Sequence, residues 1–247
     1  MAKKRISDVL IEVLANAGIE RIYGITGDSL NSVNDSLRRN GKITFEHVRH
    51  EETAAFAAGA EASLTHKLTV CAGSSGPGNL HLINGLFDCH RNRVPVLAIA
   101  SHIPQSEVGL NYFQETHPEN LFKECSCFCE LVSNPKQMPE ILFRAMNAAV
   151  GNQDVAVIVL PGDVAVMEME IDELPVWSPP RLPHIVPQRD DIEEMAAHLE
   201  TGKRITLFCG AGCEGAHDEV VELAKRLQAP VVHAFRGKEW VEWDNPY

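Results

Sequence analysis

The sequence has no long hydrophobic run, no C-x-x-C pair and a deficit of positive charge. Because no run of about 18 apolar residues occurs, no membrane-spanning helix is predicted. The 7 cysteines and 11 histidines show no zinc-ligand spacing, so the sequence predicts no metal ligand in this chain. The 22 lysines and arginines stand against 34 aspartates and glutamates. The resulting net charge of −12 disfavours nucleic acid and anionic membrane surfaces as partners.

The first ten letters, MAKKRISDVL, show no signal-peptide pattern and lead directly into an amphipathic helical pattern. The number of cysteines is odd, which is typical of free thiols in a reducing cytoplasm, so we expect a cytoplasmic protein. Cys125, Cys127 and Cys129 alternate along the chain. On a strand they would line one face as small core residues.

Strand and helix patterns alternate through the first two thirds of the chain. The strand patterns fall at 21–25, 43–48, 68–72, 94–100, 128–132 and 155–160. The helix patterns fall at 6–17, 30–39, 51–65, 79–90 and 139–150. Two of the strands, VPVLAIA and VAVIVL, are apolar on both faces, as expected where helices cover both sides of a parallel sheet. The sequence therefore predicts a doubly wound, mostly parallel α/β domain with helices on both faces.

A proline-rich stretch at 174–187 predicts an extended linker, because proline restricts its own backbone and that of its predecessor. A second α/β unit follows, with strand patterns at 205–209 and 231–234 alternating with two helix patterns. Two strands are few for a doubly wound domain of about 100–150 residues. We therefore expect the second unit to be a partial domain, either the beginning of a longer protein's next domain or a small unit packed on the first.

The run RHEETAAFAAGA places Glu51 and Glu52 at the start of a helix of small residues. One interpretation is that the helix dipole favours acids at this end, while the small residues allow close packing. The other is that a carboxylate held against an apolar surface shares a proton with a ring nitrogen, which is general acid–base chemistry.

Two loops are further candidates for a site. The glycine-rich turn at 73–79 is either a tight connection or a place where a ligand approaches the backbone closely. It has neither the G-x-G-x-x-G spacing of dinucleotide sites nor the G-K-S/T ending of a P-loop. The loop at 111–118, NYFQETHP, is either a binding loop or a surface loop with one packed aromatic ring.

A third candidate lies in the second unit. Gly210-Ala211-Gly212 follows one strand pattern, and Arg236-Gly237-Lys238 follows the next. A glycine turn beside basic residues at neighbouring strand ends suits a phosphate at a topological switch point. The alternative is an ordinary tight turn, since a lone G-x-G is a short motif.

Taken together, these motifs resemble the pyruvate oxidase group of thiamine-diphosphate enzymes, which includes quinone-dependent pyruvate dehydrogenases. The similar stretches are GITGDSLN, RHEETAAFAAGAEA, CAGSSGPGNLHLINGLFDCHRNRVPVLAIASHIP, YFQETHP and VVHAFRGKEWVEWDNPY. The resemblance implies that residues 1–180 form a pyrimidine-binding domain and that 181–247 contain the linker and the start of an FAD-binding middle domain. It also implies a third, diphosphate-binding domain whose G-D-G…N motif holds Mg²⁺. That motif is absent here, so we expect a fragment.

The resemblance also implies roles for individual residues. Glu51 matches the glutamate that hydrogen-bonds the aminopyrimidine ring and activates the cofactor. Phe113 and Gln114 match positions beside the substrate. Other positions match the surroundings of thiamine diphosphate, namely Gly27, Asp28, Gly76, Pro77 and Asn79. Positions on the flavin side are Gly210, Gly212, Arg236 and Lys238.

By the same resemblance, the full-length enzyme oxidises pyruvate to acetate and CO₂ with quinone as acceptor. It is a homodimer or homotetramer whose active site lies between subunits, and any peripheral membrane association needs the complete protein. The isolated chain is therefore expected to be inactive and to bind thiamine diphosphate weakly. The alternatives are a relative of acetolactate synthase or of keto-acid decarboxylases, or a non-catalytic pyrimidine-domain module.

Overall fold

The computed structural model describes residues 2–247, which divide after Leu182 into two compact units. The strands of the first unit are β1 (Ala2–Arg5), β2 (Arg21–Gly24), β3 (Thr44–His47), β4 (Thr69–Gly73), β5 (Val96–His102), β6 (Phe128–Leu131), β7 (Val155–Pro161) and β8 (Glu168–Ile171). Its helices are α1 (Ile6–Asn16), α2 (Asn31–Asn40), α3 (Glu51–Thr65), α4 (Pro77–Asn92), α5 (Pro118–Leu121), α6 (Met138–Asn152) and α7 (Gly162–Val166).

Six of these strands form one parallel sheet in the order β3-β2-β4-β5-β7-β6. Every residue of β4, β5 and β7 is buried, because helices cover both faces of the sheet. One apolar layer contains α1, α2 and α6, and the other contains α3 and α4. The predicted doubly wound, mostly parallel α/β fold is confirmed.

Helices α3 and α4 approach each other closely because small residues line their contact. A Cβ atom placed on Gly85 would lie 2.6 Å from the Ala55 Cβ, and one on Gly59 would lie 2.6 Å from the Cys89 Sγ. The two helices begin after β3 and β4, the strands that flank β2 in the sheet. Their close packing therefore brings the first turn of α3 beside the first turn of α4.

The beginning of the chain differs from the sequence expectation. We predicted that the first residues lead directly into a helix, but Ala2–Arg5 form β1, which pairs antiparallel with β8. The register sets Lys3 opposite Glu170 and Arg5 opposite Glu168, so unlike charges face each other across the pair. The partner strand is more than 160 residues away, so no local pattern marks this pairing.

The three alternating cysteines also differ from the prediction. Strand β6 begins at Phe128, so only Cys129 lies on a strand; Cys125 is buried and Cys127 is exposed before it. The prediction of one shared face is therefore wrong. Burial raises the pKa of the Cys125 thiol to about 11 and that of Cys129 to about 12, which keeps both protonated near neutral pH.

The second unit, residues 183–247, contains α8 (Arg189–Thr201), β9 (Leu207–Cys209), α9 (His217–Leu227), β10 (Val231–His233) and α10 (Lys238–Val241). Strands β9 and β10 pair in parallel, as the alternation of patterns predicts. The proline-rich residues 174–187 carry no helix or strand. Within residues 2–247, no helix is both long and apolar enough to cross a membrane.

A small ionic network joins α1 to α2. Asp8 accepts hydrogen bonds from Ser36, Arg39 and Arg5. Asp35 accepts one from Arg5 at 2.6 Å. Burial by itself raises the pKa of Asp8, but the three hydrogen bonds outweigh it and the pKa lies below its ordinary value of 3.8. The hydrogen bonds from Arg5, Arg38 and Arg39 likewise lower the pKa of Asp35 well below 3.8.

Replacing Gly85 by alanine should lower the free energy of unfolding by about 1–3 kcal/mol, because the added methyl group overlaps α3. Gly151→Ala is the matched control, since no described atom lies within 4 Å of a Cβ at that position in α6. It should raise stability by about 0.5 kcal/mol through helix propensity. Urea unfolding measures both changes. An unchanged midpoint for Gly85→Ala would show that the helices are not in tight contact.

Acid should weaken the α1–α2 network. Because the folded-state pKa values of Asp8 and Asp35 are depressed, their contribution is present above the unfolded value and is lost as the pH falls through the folded value. Asp8→Asn should therefore lose less stability than the original chain between about pH 6 and pH 3. Asp88→Asn, an exposed aspartate on α4, should keep the full acid sensitivity. Urea unfolding at the two pH values measures the loss of unfolding free energy in each chain. An equal loss in Asp8→Asn and in the original chain would contradict the prediction.

Candidate functional site

A cleft of about 800 Å³ lies at the carboxyl ends of the parallel strands of the first unit. The chain runs from β2 to β3 on one side and then returns to β4 on the other side of β2. The order of strands thus reverses between β2 and β4, and ligands of open α/β sheets bind at such a switch point. The cleft is lined by the segments that follow β2, β3, β4, β5 and β7, together with the loop at 112–114.

Glu51 lies in this cleft as the first residue of α3 and is only 7% exposed. One carboxylate oxygen, Oε2, lies 3.1 Å from Nδ1 of His81 on α4. The other, Oε1, lies 3.2 Å from where a Cβ on Gly78 would stand, so glycine leaves room for the carboxylate. The arrangement is a buried carboxylate with one imidazole partner, held at two adjacent helix starts.

His50 completes this corner of the cleft. Its Nδ1 accepts a hydrogen bond from the backbone N–H of Glu52 at 3.3 Å and so caps α3. Its ring stacks on that of His81, with 4.3 Å between the ring centroids and 26° between the planes. The sequence analysis selected neither histidine. Their meeting depends on the adjacency of β3, β2 and β4, which the local pattern does not contain.

The glycine-rich turn after β4 is fixed by two neighbouring segments. The backbone N–H of Ser75 donates to Ser29 Oγ at 2.9 Å, which ties this turn to the one after β2. Gly76 has a φ of +68°, and a Cβ there would lie 2.7 Å from the Gln114 Cβ. Glycine at this position therefore allows both the backbone turn and the close approach of the 111–118 loop.

The cleft brings together six of the residues selected from the sequence. These are Glu51, Gly27, Asp28, Pro77, Phe113 and Gln114. Phe113 is 79% exposed and offers its ring at the surface of the cleft. Ser29 and Arg49 also line the cleft, although the sequence analysis did not single them out.

Gly76 and Asn79 lie behind the cleft lining. Gly76 packs against the 111–118 loop, as described above. Asn79 is fully buried in α4, and its Nδ2 donates to the Ser101 carbonyl at 2.8 Å. Its Oδ1 has no hydrogen-bond partner among the described residues. The side chain thus anchors α4 to the end of β5.

In the second unit, the turns after β9 and β10 touch. A Cβ on Gly237 would lie 2.4 Å from the Cys209 carbonyl oxygen and 3.0 Å from the Gly210 Cα. This contact brings the Gly210–Gly212 turn and the segment from Arg236 to Lys238 to one edge of the strand pair. Lys238 forms an ion pair with Glu242 at 3.3 Å.

Comparison with known proteins relates the chain to one enzyme family. Residues 4–121 match the thiamine pyrophosphate enzyme N-terminal TPP binding domain, and residues 192–247 match the central domain of the same enzymes. The chain belongs to the thiamine pyrophosphate enzyme family. Glu51, His81 and the glycine-rich turn all lie within the part that matches the thiamine-pyrophosphate-binding domain.

Curated relatives of this thiamine pyrophosphate enzyme chain carry different names. An uncharacterized 42.6 kDa protein from the isoamylase 3′ region of Pseudomonas amyloderamosa is 60% identical over 100% of the chain and 63% of its own length. A pyruvate oxidase of Lactiplantibacillus plantarum is 31% identical over 93% of the chain and 38% of its length. An acetolactate synthase of Arthrospira platensis is 32% identical over 99% of the chain and 44% of its own length. The chain therefore spans between 38% and 63% of the length of these relatives.

Gly76→Ala should destabilise the first unit by about 1–3 kcal/mol, because a side chain there combines backbone strain with overlap onto Gln114. Gly109→Ala is the control, since its φ is +85° but no described atom lies within 4 Å of an added Cβ. This variant should have backbone strain without overlap, so it should lose less unfolding free energy than Gly76→Ala. Urea unfolding and amide hydrogen exchange in residues 111–118 report the two effects. If Gly109→Ala costs as much as Gly76→Ala, the loop does not depend on the close approach.

Proposed function

We propose that this chain forms the aminopyrimidine side of a thiamine diphosphate site and that Glu51 is its acid–base group. The observation that carries the proposal is a buried carboxylate at the sheet's switch point, within a match to a thiamine-pyrophosphate-binding domain. The cleft of about 800 Å³ falls within the size range of cofactor sites. Because position 78 is glycine, it has no side chain to crowd Oε1 of the carboxylate, the oxygen that in this proposal meets the ring.

In this proposal, Glu51 exchanges a proton with a ring nitrogen of the bound cofactor. His81 holds the carboxylate through Oε2, so Oε1 remains available on the glycine side. Burial strengthens such a hydrogen bond, because water no longer screens the charge. Gly27, Asp28 and Pro77 form further parts of the wall, while Gly76 and Asn79 keep the wall in position from behind. Thiamine diphosphate, when bound, supplies the carbon nucleophile and electron sink for decarboxylation of a 2-keto acid.

For the whole enzyme, we propose oxidative decarboxylation of pyruvate. Pyruvate, water and a quinone would give acetate, CO₂ and the quinol. Phe113 and Gln114 lie on the substrate side of the cleft in this proposal. Similarity to a pyruvate oxidase over 93% of the chain supports it.

The proposal includes partners and cofactors beyond this chain. FAD would lie against the edge that carries the Gly210–Gly212 turn, Arg236 and Lys238. The Mg²⁺ ligands would come from a diphosphate-binding domain. A second subunit would complete the site in a homodimer or homotetramer.

Acetolactate synthase activity is the second candidate. The similarity to the Arthrospira platensis enzyme, 32% over 99% of the chain, is as strong as that to the pyruvate oxidase. This reaction joins two pyruvate molecules with loss of CO₂ and needs no electron acceptor. Product identification therefore separates the two candidates. With pyruvate and a quinone, the complete gene product that contains this sequence should release acetate and reduce the quinone, whereas acetolactate formed without quinone reduction would favour the second.

Glu51→Gln in the complete gene product should lower pyruvate turnover at least about 100-fold, because it removes the acid–base group and leaves the shape nearly unchanged. Glu52→Gln is the matched control, since this neighbouring carboxylate bonds Asn84 on α4 outside the cleft. It should turn over pyruvate at a near-normal rate. Steady-state kinetics compares the variants. Near-normal turnover by Glu51→Gln would remove Glu51 from the mechanism under either candidate reaction.

A further inference from the structure

The corner of the cleft that holds Glu51 brings together three side chains that can each donate a ligand atom to a metal ion. His50, Glu51 and His81 each offer one ligand atom, and these atoms all lie within 4.8 Å of one another. In the part of the chain that the structure describes, this is the one such group of three. Two imidazole nitrogens and a carboxylate oxygen form the donor set that holds zinc in several zinc enzymes, with water in the fourth position.

We propose that His50, Glu51 and His81 bind a zinc ion. Glu51 is the fixed ligand, because its side chain is only 9% exposed and belongs to the tightly packed start of α3. The two imidazoles are the adjustable ligands, because their side chains are 46% and 45% exposed. Water reaches the same corner from the open side of the cleft and supplies the fourth ligand.

The distances between the three ligand atoms suit zinc after small movements of the two imidazole rings. Zinc–ligand bonds of about 2.0–2.2 Å at tetrahedral angles place two ligand atoms about 3.4 Å apart. Glu51 Oε2 and His81 Nδ1 are already 3.1 Å apart. The widest separation in the group, up to 4.8 Å, must close by about 1.4 Å. The stacked rings must also turn so that one nitrogen of each points to the same place, and their exposure permits that rotation.

The surroundings leave one nitrogen of His50 ready for a metal. A neutral imidazole carries one proton, so binding zinc through Nε2 places that proton on Nδ1, which then gives up the Glu52 backbone N–H that it accepts in the structure. The Glu52 carboxylate lies 3.7 Å from the same Nδ1, close enough to accept a hydrogen bond from that proton after a small ring movement. An outer partner of this kind orients histidine ligands in metal sites.

The choice of zinc follows from ligand type. Imidazole suits zinc and its transition-metal neighbours, whereas magnesium and calcium prefer oxygen ligands. Zinc and an aminopyrimidine ring would compete for the same carboxylate, a consequence that rests on the proposed function. Zinc binding itself does not, because it needs only the three side chains.

Calorimetric titration of the chain with zinc chloride, in the absence of any thiamine compound, tests the proposal. The unmodified chain should bind one zinc ion at this site, and His50→Ala and His81→Ala should each weaken that binding at least about tenfold. His47→Ala, at an exposed histidine near the end of β3, is the matched control and should bind zinc normally. Magnesium chloride should give no comparable binding.

The chain also has seven free cysteines, which could bind zinc elsewhere. Cobalt(II) absorption of the unmodified chain separates the two sources, because thiolate ligands add a charge-transfer band that imidazole and carboxylate ligands lack. A visible spectrum without that band, lost on removal of either histidine, supports the proposal. Absence of zinc binding, binding that survives loss of either histidine, or a cobalt spectrum dominated by thiolate bands would overturn it.

Discussion

The close packing of α3 on α4 determines most of what this chain can do chemically. Ala55 and Gly59 on α3 and Gly85 on α4 allow the two backbones to approach until an added methyl group would overlap its neighbour. Each helix begins directly after a strand of the same parallel sheet, so the two N-terminal turns lie side by side. Glu51 on one turn therefore meets His81 on the other. Without this contact the carboxylate would be an ordinary solvated acid at a helix start.

The two interpretations of the RHEETAAFAAGA run are therefore both parts of one arrangement. The small residues of α3 are buried against α4, as the packing interpretation requires. The same packing takes Glu51 out of solvent and presents it to the cleft. The two interpretations are compatible, because the helix dipole stabilises a negative charge at the helix start and the proposed acid–base chemistry needs a carboxylate at the same place.

The cleft is formed by turns that support one another. Ser29 ties the turn after β2 to the turn after β4, and Gly76 lets the 111–118 loop rest on the latter. Such mutual support keeps a site in position without substrate, which is what an acid–base group needs to act on a bound ring. The same rigidity would hold Glu51 as a metal ligand. The corner at Glu51 therefore has two chemistries available, and whichever partner occupies the carboxylate excludes the other.

The sequence by itself determined the class of fold, most element positions and the family. Alternating patterns and doubly apolar strands predicted the doubly wound sheet, and α3 was predicted at the residues where it occurs, because these signals are local along the chain. Only the tertiary structure decided that β1 pairs with β8, that Asn79 is buried behind the cleft, and that His50 and His81 stack beside Glu51. These depend on the order of strands in the sheet and on contacts between residues about 20 to 170 positions apart, which no local periodicity encodes.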